Sequence, residues 1–191
     1  MGEHVTLGEF PREYFFKLLK TFRNYKDCKF VAQFPTNYYE QMLGYNKDDD
    51  TSLKLNYYVE SNVYISGFII YYHQELLAQK NLHAFITAGD QECFNEALYA
   101  GVPLILIPFT LEQKFNAKIV KYMKVGTVVD HKEFLDQFPA AILKLIRPNL
   151  VKTTFHENAN KIREEIHKIP KGQIETFLDV VKKAIDEKDV K

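Results

Sequence analysis

The chain contains no tryptophan, only two cysteines and no net charge. Its 25 basic residues are balanced by 25 acidic ones, which excludes the basic excess of a general nucleic-acid binder. The cysteines, Cys28 and Cys93, are interpreted as small buried residues. Neither they nor the six histidines show a CxxC or HExxH spacing, so we predict no metal site.

Long apolar segments are also missing. The longest apolar stretches, near residues 63–72 and 102–109, are too short to span a bilayer. The first ten residues, MGEHVTLGEF, lack the apolar core of a secretory signal. We therefore expect no membrane segment in this chain and, by default, a cytoplasmic location.

The composition is that of a globular domain. Hydrophobic residues make up 46% and charged residues 26% of the 191 positions, which is enough apolar material for a sizeable core. This length lies within the range of one domain. We therefore predict that residues 1–191 form a single domain.

Strand and helix patterns alternate along the sequence. Pro11 opens an amphipathic helix that runs to about Tyr25. Apolar runs predict strands near 29–33, 63–69, 84–87, 103–107 and 127–130. Alternating strands and helices predict an α/β protein with a Rossmann-like, doubly wound parallel sheet. Residues 35–61 are polar and are predicted to form an exposed loop, and residues 149–191 are predicted to be C-terminal helices.

The most informative segment is 85–116, which reads strand, turn, helix, strand, turn, helix. Its first helix ends at Gly101, a common helix C-cap, and the next strand, VPLILIP, is wholly apolar. Two strand-to-helix turns on neighbouring parallel strands form the crevice where open α/β sheets bind ligands. A helix N-terminus in that crevice suits a phosphate.

The same segment resembles the donor-binding signature of the UDP-glycosyltransferases, and most closely the UDP-glucuronosyltransferase-like enzymes. The matching residues are Phe85, Thr87, Gly89, Glu96, Ala97, Gly101, Val102, Pro103, Pro108, Gln113, Asn116 and Ala117. The resemblance implies the C-terminal half of the two-domain glycosyltransferase-B fold. It also implies transfer of a hexosyl or glucuronosyl group from a UDP-sugar to small lipophilic acceptors, with no further cofactor, by enzymes typically found at the endoplasmic reticulum membrane.

The resemblance also implies a set of donor-binding residues. Glu96 matches the residue that holds the ribose hydroxyls, and Glu112 with Gln113 matches the pair that grips the sugar. Phe68 or Tyr71 is expected to stack on uracil, the alternative being that both rings belong to a strand core. The remaining predicted donor contacts are Gly89, Cys93 and Asn116.

Several residues around the expected diphosphate site depart from the family pattern. Ala88 stands in place of a histidine, and Cys93 in place of a serine. Carboxylates stand at Glu3, Asp90 and Glu92, where the family has neutral groups. A carboxylate about 4 Å from a phosphate oxygen costs on the order of 4 kcal/mol, so inward-pointing side chains would oppose binding. The alternative is that these side chains turn to solvent.

No catalytic residue is assigned to this chain. The family's general base is a histidine of the acceptor-binding domain, and His73 falls where the family has no catalytic histidine. We therefore expect the isolated chain to transfer no sugar and to need an acceptor-binding domain or a full-length family member as partner. The alternatives are a catalytically dead homologue acting as an interaction or regulatory module, and a nucleotide-binding α/β protein of other chemistry.

Overall fold

A computed structural model describes residues 11–34, 56–66, 73–147, 151–168 and 173–186. Seven α-helices and six strands lie within these ranges. The helices are α1 (Arg12–Arg23), α2 (His73–Leu77), α3 (Gln91–Ala100), α4 (Leu111–Met123), α5 (Phe134–Leu145), α6 (Thr154–His167) and α7 (Gln173–Asp186). The strands are β1 (Phe30–Gln33), β2 (Asn56–Glu60), β3 (Val63–Ser66), β4 (Phe85–Thr87), β5 (Leu104–Leu106) and β6 (Gly126–Val128).

Helix α1 begins directly after Pro11, as predicted. Proline suits this position because its fixed φ, here −58°, leads into the helix and its missing N–H would have no partner there. One face of α1 is buried, and Phe22 on that face lies with its ring centroid 5.9 Å from that of Phe138 on α5. The apolar spacing that predicted the helix therefore also fixes its contact with α5.

Within the described residues, the strands occur where the apolar runs predicted them, and those of the signature segment are parallel; residues 67–69 of the strand predicted at 63–69 lie outside the described residues. Phe85 pairs with Leu104 between β4 and β5, and Leu104 pairs with Gly126 between β5 and β6. A single sheet was expected, but among the described residues the hydrogen bonds form two, in the orders β1–β3–β2 and β4–β5–β6. Strands of three to five residues offer few ladder positions. One hydrophobic cluster, which includes Val63 of β3 and Ile105 of β5, joins the two sheets.

Strand β2 corrects the interpretation of residues 35–61 as one exposed loop. The residues of Asn56–Glu60 pair antiparallel with β3, with Tyr57 opposite Ile65. The sequence NYYVE contains aromatic and β-branched residues that favour strands, and the polar residues around it obscured this. Residues 35–55 lie outside the described part of the chain.

The central strand β5 is buried on both faces, which confirms the reading of VPLILIP. Its alternate side chains enter two cores: Ile105 packs with α1 and α5, and Leu104 and Leu106 pack with α3 and α4. Helices therefore cover both faces of the sheet, as in a Rossmann-like fold. On the neighbouring strand β6, a Cβ added to Gly126 would lie 2.1 Å from the carbonyl oxygen of Leu104, so only glycine fits at this position.

Two helices follow in the region predicted to be helical. Helix α6 packs against α3, where Ala159 is fully buried in the cluster beneath α3 and α4. Helix α7 exposes several apolar side chains, including Phe177 and Val180. Of the helices within the described ranges, none combines the length and the apolarity needed to cross a bilayer.

Candidate functional site

The crevice predicted from the signature segment is present at the carboxyl ends of β4 and β5. One turn runs from Thr87 to Gln91, where α3 begins, and the neighbouring turn runs from Leu106 to Leu111, where α4 begins. We call these the α3 turn and the α4 turn. Because β4 and β5 are adjacent and parallel, the two turns lie side by side.

Three hydrogen bonds connect the α3 turn to side chains of helix α4. The amide of Gln113 donates to Asp90 Oδ1 over 2.8 Å, and the amide of Asn116 donates to the carbonyl of Gly89 over 2.9 Å. The backbone N–H of Gln91 donates to Glu112 Oε1 over 3.3 Å. The structure therefore brings together four of the predicted donor-binding residues, Gly89, Glu112, Gln113 and Asn116.

Gly89 shapes the α3 turn. Its φ of +96° lies in a region that residues with a side chain rarely adopt, and an added Cβ would meet the methyl groups of Leu106 at 3.1 Å. Its N–H donates to the hydroxyl of Thr87 over 3.3 Å. The glycine therefore lets the chain turn tightly over β5 on its way into α3.

Gln113 supports the α4 turn from inside. The side chain is fully buried, and its Oε1 accepts hydrogen bonds from the backbone N–H groups of Phe109 (2.7 Å) and Thr110 (3.0 Å). The hydroxyl of Thr110 accepts the N–H of Gln113 in return, which forms a capping box. All of these bonds are internal to the protein, and the predicted contact of Gln113 with a sugar stays a prediction.

Asp90 turns inward rather than to solvent. It occupies the N-cap position of α3 but makes no side-chain cap. Its Oδ1 is held by Gln113, and its buried Oδ2 has no hydrogen-bond partner among the described residues. Ala88, also fully buried, contributes no side-chain donor to balance this acceptor.

The three anomalous carboxylates are thus not equivalent. Asp90 faces the interior, whereas Glu92 is exposed on the first turn of α3, where a carboxylate interacts favourably with the helix dipole. Glu3 lies outside the described residues. Of the two alternatives considered for the cluster, the inward geometry holds for Asp90 and the solvent geometry for Glu92.

Glu112 has a contact that the sequence did not predict. Its carboxylate accepts the N–H of Gln91, the first residue of α3. That N–H belongs to the helix N-terminus at which a diphosphate was expected. The available signal was the acidic residue in the first turn of α4, which two adjacent parallel strands place next to the start of α3.

Glu96 lies on the side of α3 that faces α2. Its Oε1 accepts a hydrogen bond of 3.0 Å from the amide of Gln74. Both side chains line a cleft of about 1460 Å³ that extends along α3 to α6. A partly exposed carboxylate held by an amide can accept the two hydroxyls of a ribose.

Cys93 is a free cysteine with a side chain only 6% exposed. Burial raises the pKa of its thiol, and a hydrogen bond with the side chain of Thr87 acts in the opposite direction. The thiol is therefore protonated at neutral pH, and its predicted contact with the donor stays a prediction. The two candidate stacking rings, Phe68 and Tyr71, lie outside the described residues.

Within the described ranges, no group of three or more His, Cys, Asp or Glu side chains could hold a metal ion.

Sequence comparison connects this geometry to known proteins. Residues 70–171 match the model of a family described as UDP-glucoronosyl and UDP-glucosyl transferase. The Caenorhabditis elegans protein ugt-47, named as a UDP-glucuronosyltransferase, is 32% identical over 118 residues, which are 62% of this chain and 22% of that protein. An ecdysteroid UDP-glucosyltransferase of Mamestra brassicae nuclear polyhedrosis virus is 33% identical over 70 residues, which are 37% of this chain and 13% of that protein.

Solved structures show the same fold. A UDP-glucose: anthocyanidin 3-O-glucosyltransferase in complex with UDP superposes with a TM-score of 0.68 at 18% identity, over 93% of this chain and 38% of that chain. The glycosyltransferase VinC in complex with DTDP gives a TM-score of 0.65 at 19% identity, over 93% of this chain and 37% of that chain. The fold is therefore that of the C-terminal half of glycosyltransferase-B proteins. The chain spans about a fifth of the length of the ugt-47 relative.

Proposed function

Because this chain belongs to the UDP-glucoronosyl and UDP-glucosyl transferase family, we propose that it is the donor-binding domain of a UDP-glycosyltransferase. In this role it holds a UDP-sugar, while an acceptor-binding domain holds a small lipophilic acceptor and contributes the catalytic base. The reaction is transfer of a hexosyl or glucuronosyl group to that acceptor. The domain by itself performs no transfer.

The position of Glu96 carries this proposal. It stands on α3 five residues after Gln91, the first residue of that helix, with its carboxylate held by Gln74 at 3.0 Å. A ribose diol offers two donors to such a carboxylate. From there a diphosphate would extend to the N-terminus of α3, and a sugar hydroxyl would reach Glu112.

The diphosphate position is the weak part of this site. The N–H of Gln91 is occupied by the carboxylate of Glu112, and Ala88 has no donor to replace it. A phosphate that takes this N–H must displace Glu112 and remain near its charge, a repulsion of roughly 4 kcal/mol at about 4 Å. We therefore propose that UDP binds weakly and that Glu112 is the main obstacle.

Calorimetric titration with UDP tests whether Glu112 opposes UDP binding. Glu112→Gln removes the charge, and Glu112→Ala also frees the N–H of Gln91. We expect UDP affinity to rise about tenfold or more in Glu112→Ala and less in Glu112→Gln, since about 1.4 kcal/mol corresponds to a factor of ten. Glu157→Gln, an exposed carboxylate in the first turn of α6, is the matched control and should leave affinity unchanged.

A second variant tests the donor-binding role itself. In the Glu112→Ala background, Glu96→Gln should weaken UDP binding by about tenfold, because hydrogen bonds to charged groups contribute roughly 1.5–3 kcal/mol. Unchanged affinity would show that Glu96 does not hold the ribose.

Product formed from a UDP-sugar and a phenol by the purified chain, above a no-protein control, would contradict the need for an acceptor-binding domain.

The second candidate is a non-enzymatic interaction or regulatory module. The self-occupied helix N-terminus and the buried, unpartnered oxygen of Asp90 favour it, because both oppose a bound diphosphate. The two candidates differ in one measurement. A module that has lost its ligand binds no UDP even as Glu112→Ala, whereas a donor-binding domain regains it.

A further inference from the structure

Helix α4 carries large apolar side chains on the side that points away from the protein. Leu111, Phe115 and Tyr122 are 86%, 63% and 88% exposed. Their spacings of four and seven residues place all three along one side of the helix. The opposite side is buried and consists of Gln113, Asn116, Ala117 and Val120. Single exposed apolar residues are ordinary on protein surfaces, but three in a row along roughly 16 Å of helix form a patch.

A row of lysines runs beside this patch. Lys114, Lys118 and Lys121 are exposed, and their spacings of four and three residues place them on one neighbouring stripe of the same helix. Within the described part of the chain, none of the three forms an ion pair. We call the six residues of the patch and the lysine row the outer face of α4.

The charge of the outer face is positive along its whole length. The 13 residues of α4 contain three lysines and one carboxylate, Glu112. That carboxylate accepts the N–H of Gln91 in the α3 turn. Lys124, the exposed C-cap residue, adds a further positive charge at the other end of the helix. Because the chain as a whole has no net charge, this excess is local to α4.

Helix α7 provides a comparison, because it also exposes apolar side chains. Phe177 is 66% exposed and Ile185 is 56% exposed. The 14 residues of α7, however, contain three carboxylates and two lysines. Helix α7 is therefore amphipathic without a positive excess, and only α4 combines exposed apolar residues with a charge that attracts an anionic partner.

The shape of the outer face distinguishes between anionic partners. A partner helix docks in a groove, whereas Leu111 and Tyr122 stand almost fully exposed on one projecting helix. A second copy docked through the same face would oppose lysine to lysine, and like charges repel. A planar lipid surface needs no groove, because apolar side chains insert between its headgroups and the lysine stems carry their charges to the phosphates.

We propose that the outer face of α4 docks on an anionic membrane surface. Leu111, Phe115 and Tyr122 insert at the level of the headgroups, and the three lysines pair with lipid phosphates. The helix lies on the surface without crossing it, so the contact is peripheral and reversible. It uses none of the side chains proposed to contact UDP and does not depend on UDP binding.

Sedimentation of the chain with vesicles tests the electrostatic part of this contact. Vesicles of phosphatidylcholine and phosphatidylserine in equal parts are compared with pure phosphatidylcholine. We expect at least about tenfold stronger binding to the anionic vesicles, because each lysine near such a surface contributes roughly fivefold. High salt should weaken this binding. Lys118→Gln with Lys121→Gln should weaken it about twentyfold, whereas Lys182→Gln with Lys183→Gln, at exposed positions of α7, should not.

Fluorescence tests the insertion of the apolar side chains. Because the chain contains no tryptophan, Tyr122→Trp introduces a single reporter at an exposed position. Its emission should shift to shorter wavelength with anionic vesicles, whereas that of Phe177→Trp on α7 should not. Phe115→Gln with Tyr122→Gln should weaken vesicle binding about tenfold, because apolar surface no longer leaves water.

Three results would overturn the proposal. One is equal binding to neutral and anionic vesicles. Another is a loss in the α7 lysine variant as large as that in the α4 lysine variant, which would move the contact to α7. The third is an unshifted Tyr122→Trp emission. If the chain instead binds soluble polyglutamate but no vesicles, the outer face recognises acidic proteins.

Discussion

The α4 turn and the α3 turn follow neighbouring strands, yet they satisfy their backbone groups in different ways. The α4 turn is capped by its own residues, with Thr110 and Gln113 forming a capping box. The α3 turn has no such cap from Asp90, and its N–H of Gln91 donates instead to the carboxylate of Glu112, in the first helical turn of α4. One turn is therefore complete by itself, and the other depends on its neighbour.

The unpartnered polar atoms follow the same division. Asp90 Oδ2 and Asn116 Oδ1 are both buried without a hydrogen-bond partner in the described part of the chain. Asp90 lies in the α3 turn, and the amide of Asn116 is bonded to it through Gly89. Buried unsatisfied groups are uncommon in folded proteins, and both of these lie at the α3 turn, the turn that Asp90 does not cap.

Removing the side chain that joins the turns should have the largest effect. Gln113→Met leaves two backbone N–H groups and Asp90 Oδ1 without their partner, and each unsatisfied buried group costs roughly 1–3 kcal/mol. We expect a loss of about 3 kcal/mol or more in the free energy of unfolding, measured with urea. Gln137→Met is the matched control. It removes the bond that Gln137 accepts from the N–H of Asp130 and the bond that it donates to Glu133, both of them exposed, and should cost less. Equal losses would show that Gln113 does not support both turns.

A thiol in the first turn of α3 reports whether that turn is open. With Cys28→Ser, Cys93 is the remaining thiol, and we expect iodoacetamide to modify it at least about tenfold more slowly in the native protein than in urea. The reason is that burial raises the pKa of Cys93 and so lowers its thiolate fraction. The Cys93→Ser protein, which retains the more accessible Cys28, calibrates the reagent. Similar rates in native and unfolded protein would mean that the α3 turn opens readily.

The cap within the α4 turn should contribute an intermediate amount. Thr110→Ala removes the hydroxyl that accepts the N–H of Gln113, and loss of such a cap costs about 1 kcal/mol. Urea unfolding would measure this loss. Thr154→Ala, at an exposed threonine that begins α6, should change stability little. If the two variants match, the capping box adds nothing beyond the hydrogen bonds of Gln113.

The hydrogen bond from the N–H of Gln91 to Glu112, which caps the α3 turn, should contribute least to stability. Glu112→Gln keeps an acceptor for the N–H of Gln91 but removes the charge from an exposed helix terminus, which stabilises by about 0.3–1 kcal/mol. We expect a loss below that of Thr110→Ala, and one that shrinks in 1 M salt because exposed charges are screened. A larger loss than that of Thr110→Ala would reverse the comparison between the turns.

The fold followed from the sequence where local signals agreed. The apolar run around Ile105, the helical spacing of α3 and its C-cap at Gly101 (φ +71°) predict the same strand–helix–strand unit that is observed. Strand β2 was missed because the polar residues around it obscured its aromatic and β-branched residues, and its pairing with β3 depends on tertiary contacts. The division into two sheets is likewise decided by tertiary packing.

Part of the candidate site could be predicted from the sequence. Adjacent parallel strands were enough to bring Gly89, Glu112 and Asn116 together. The burial of Gln113 and the inward turn of Asp90 were not predictable, because each depends on which side chain completes its hydrogen bonds across the two turns. Sequence matching identifies positions, whereas the partner of each polar atom is fixed only by the folded chain.

Gly126, which pairs with Leu104 where β5 and β6 lie side by side, has a practical consequence for experiments in living cells. Because even a methyl group there would overlap the Leu104 carbonyl, Gly126→Ala changes the chain by one carbon and touches no proposed ligand contact. It therefore provides a fold-defective reference of nearly native composition. Any cellular phenotype that Glu112→Ala shares with Gly126→Ala reflects reduced protein abundance, and any phenotype unique to Glu112→Ala reflects the crevice itself.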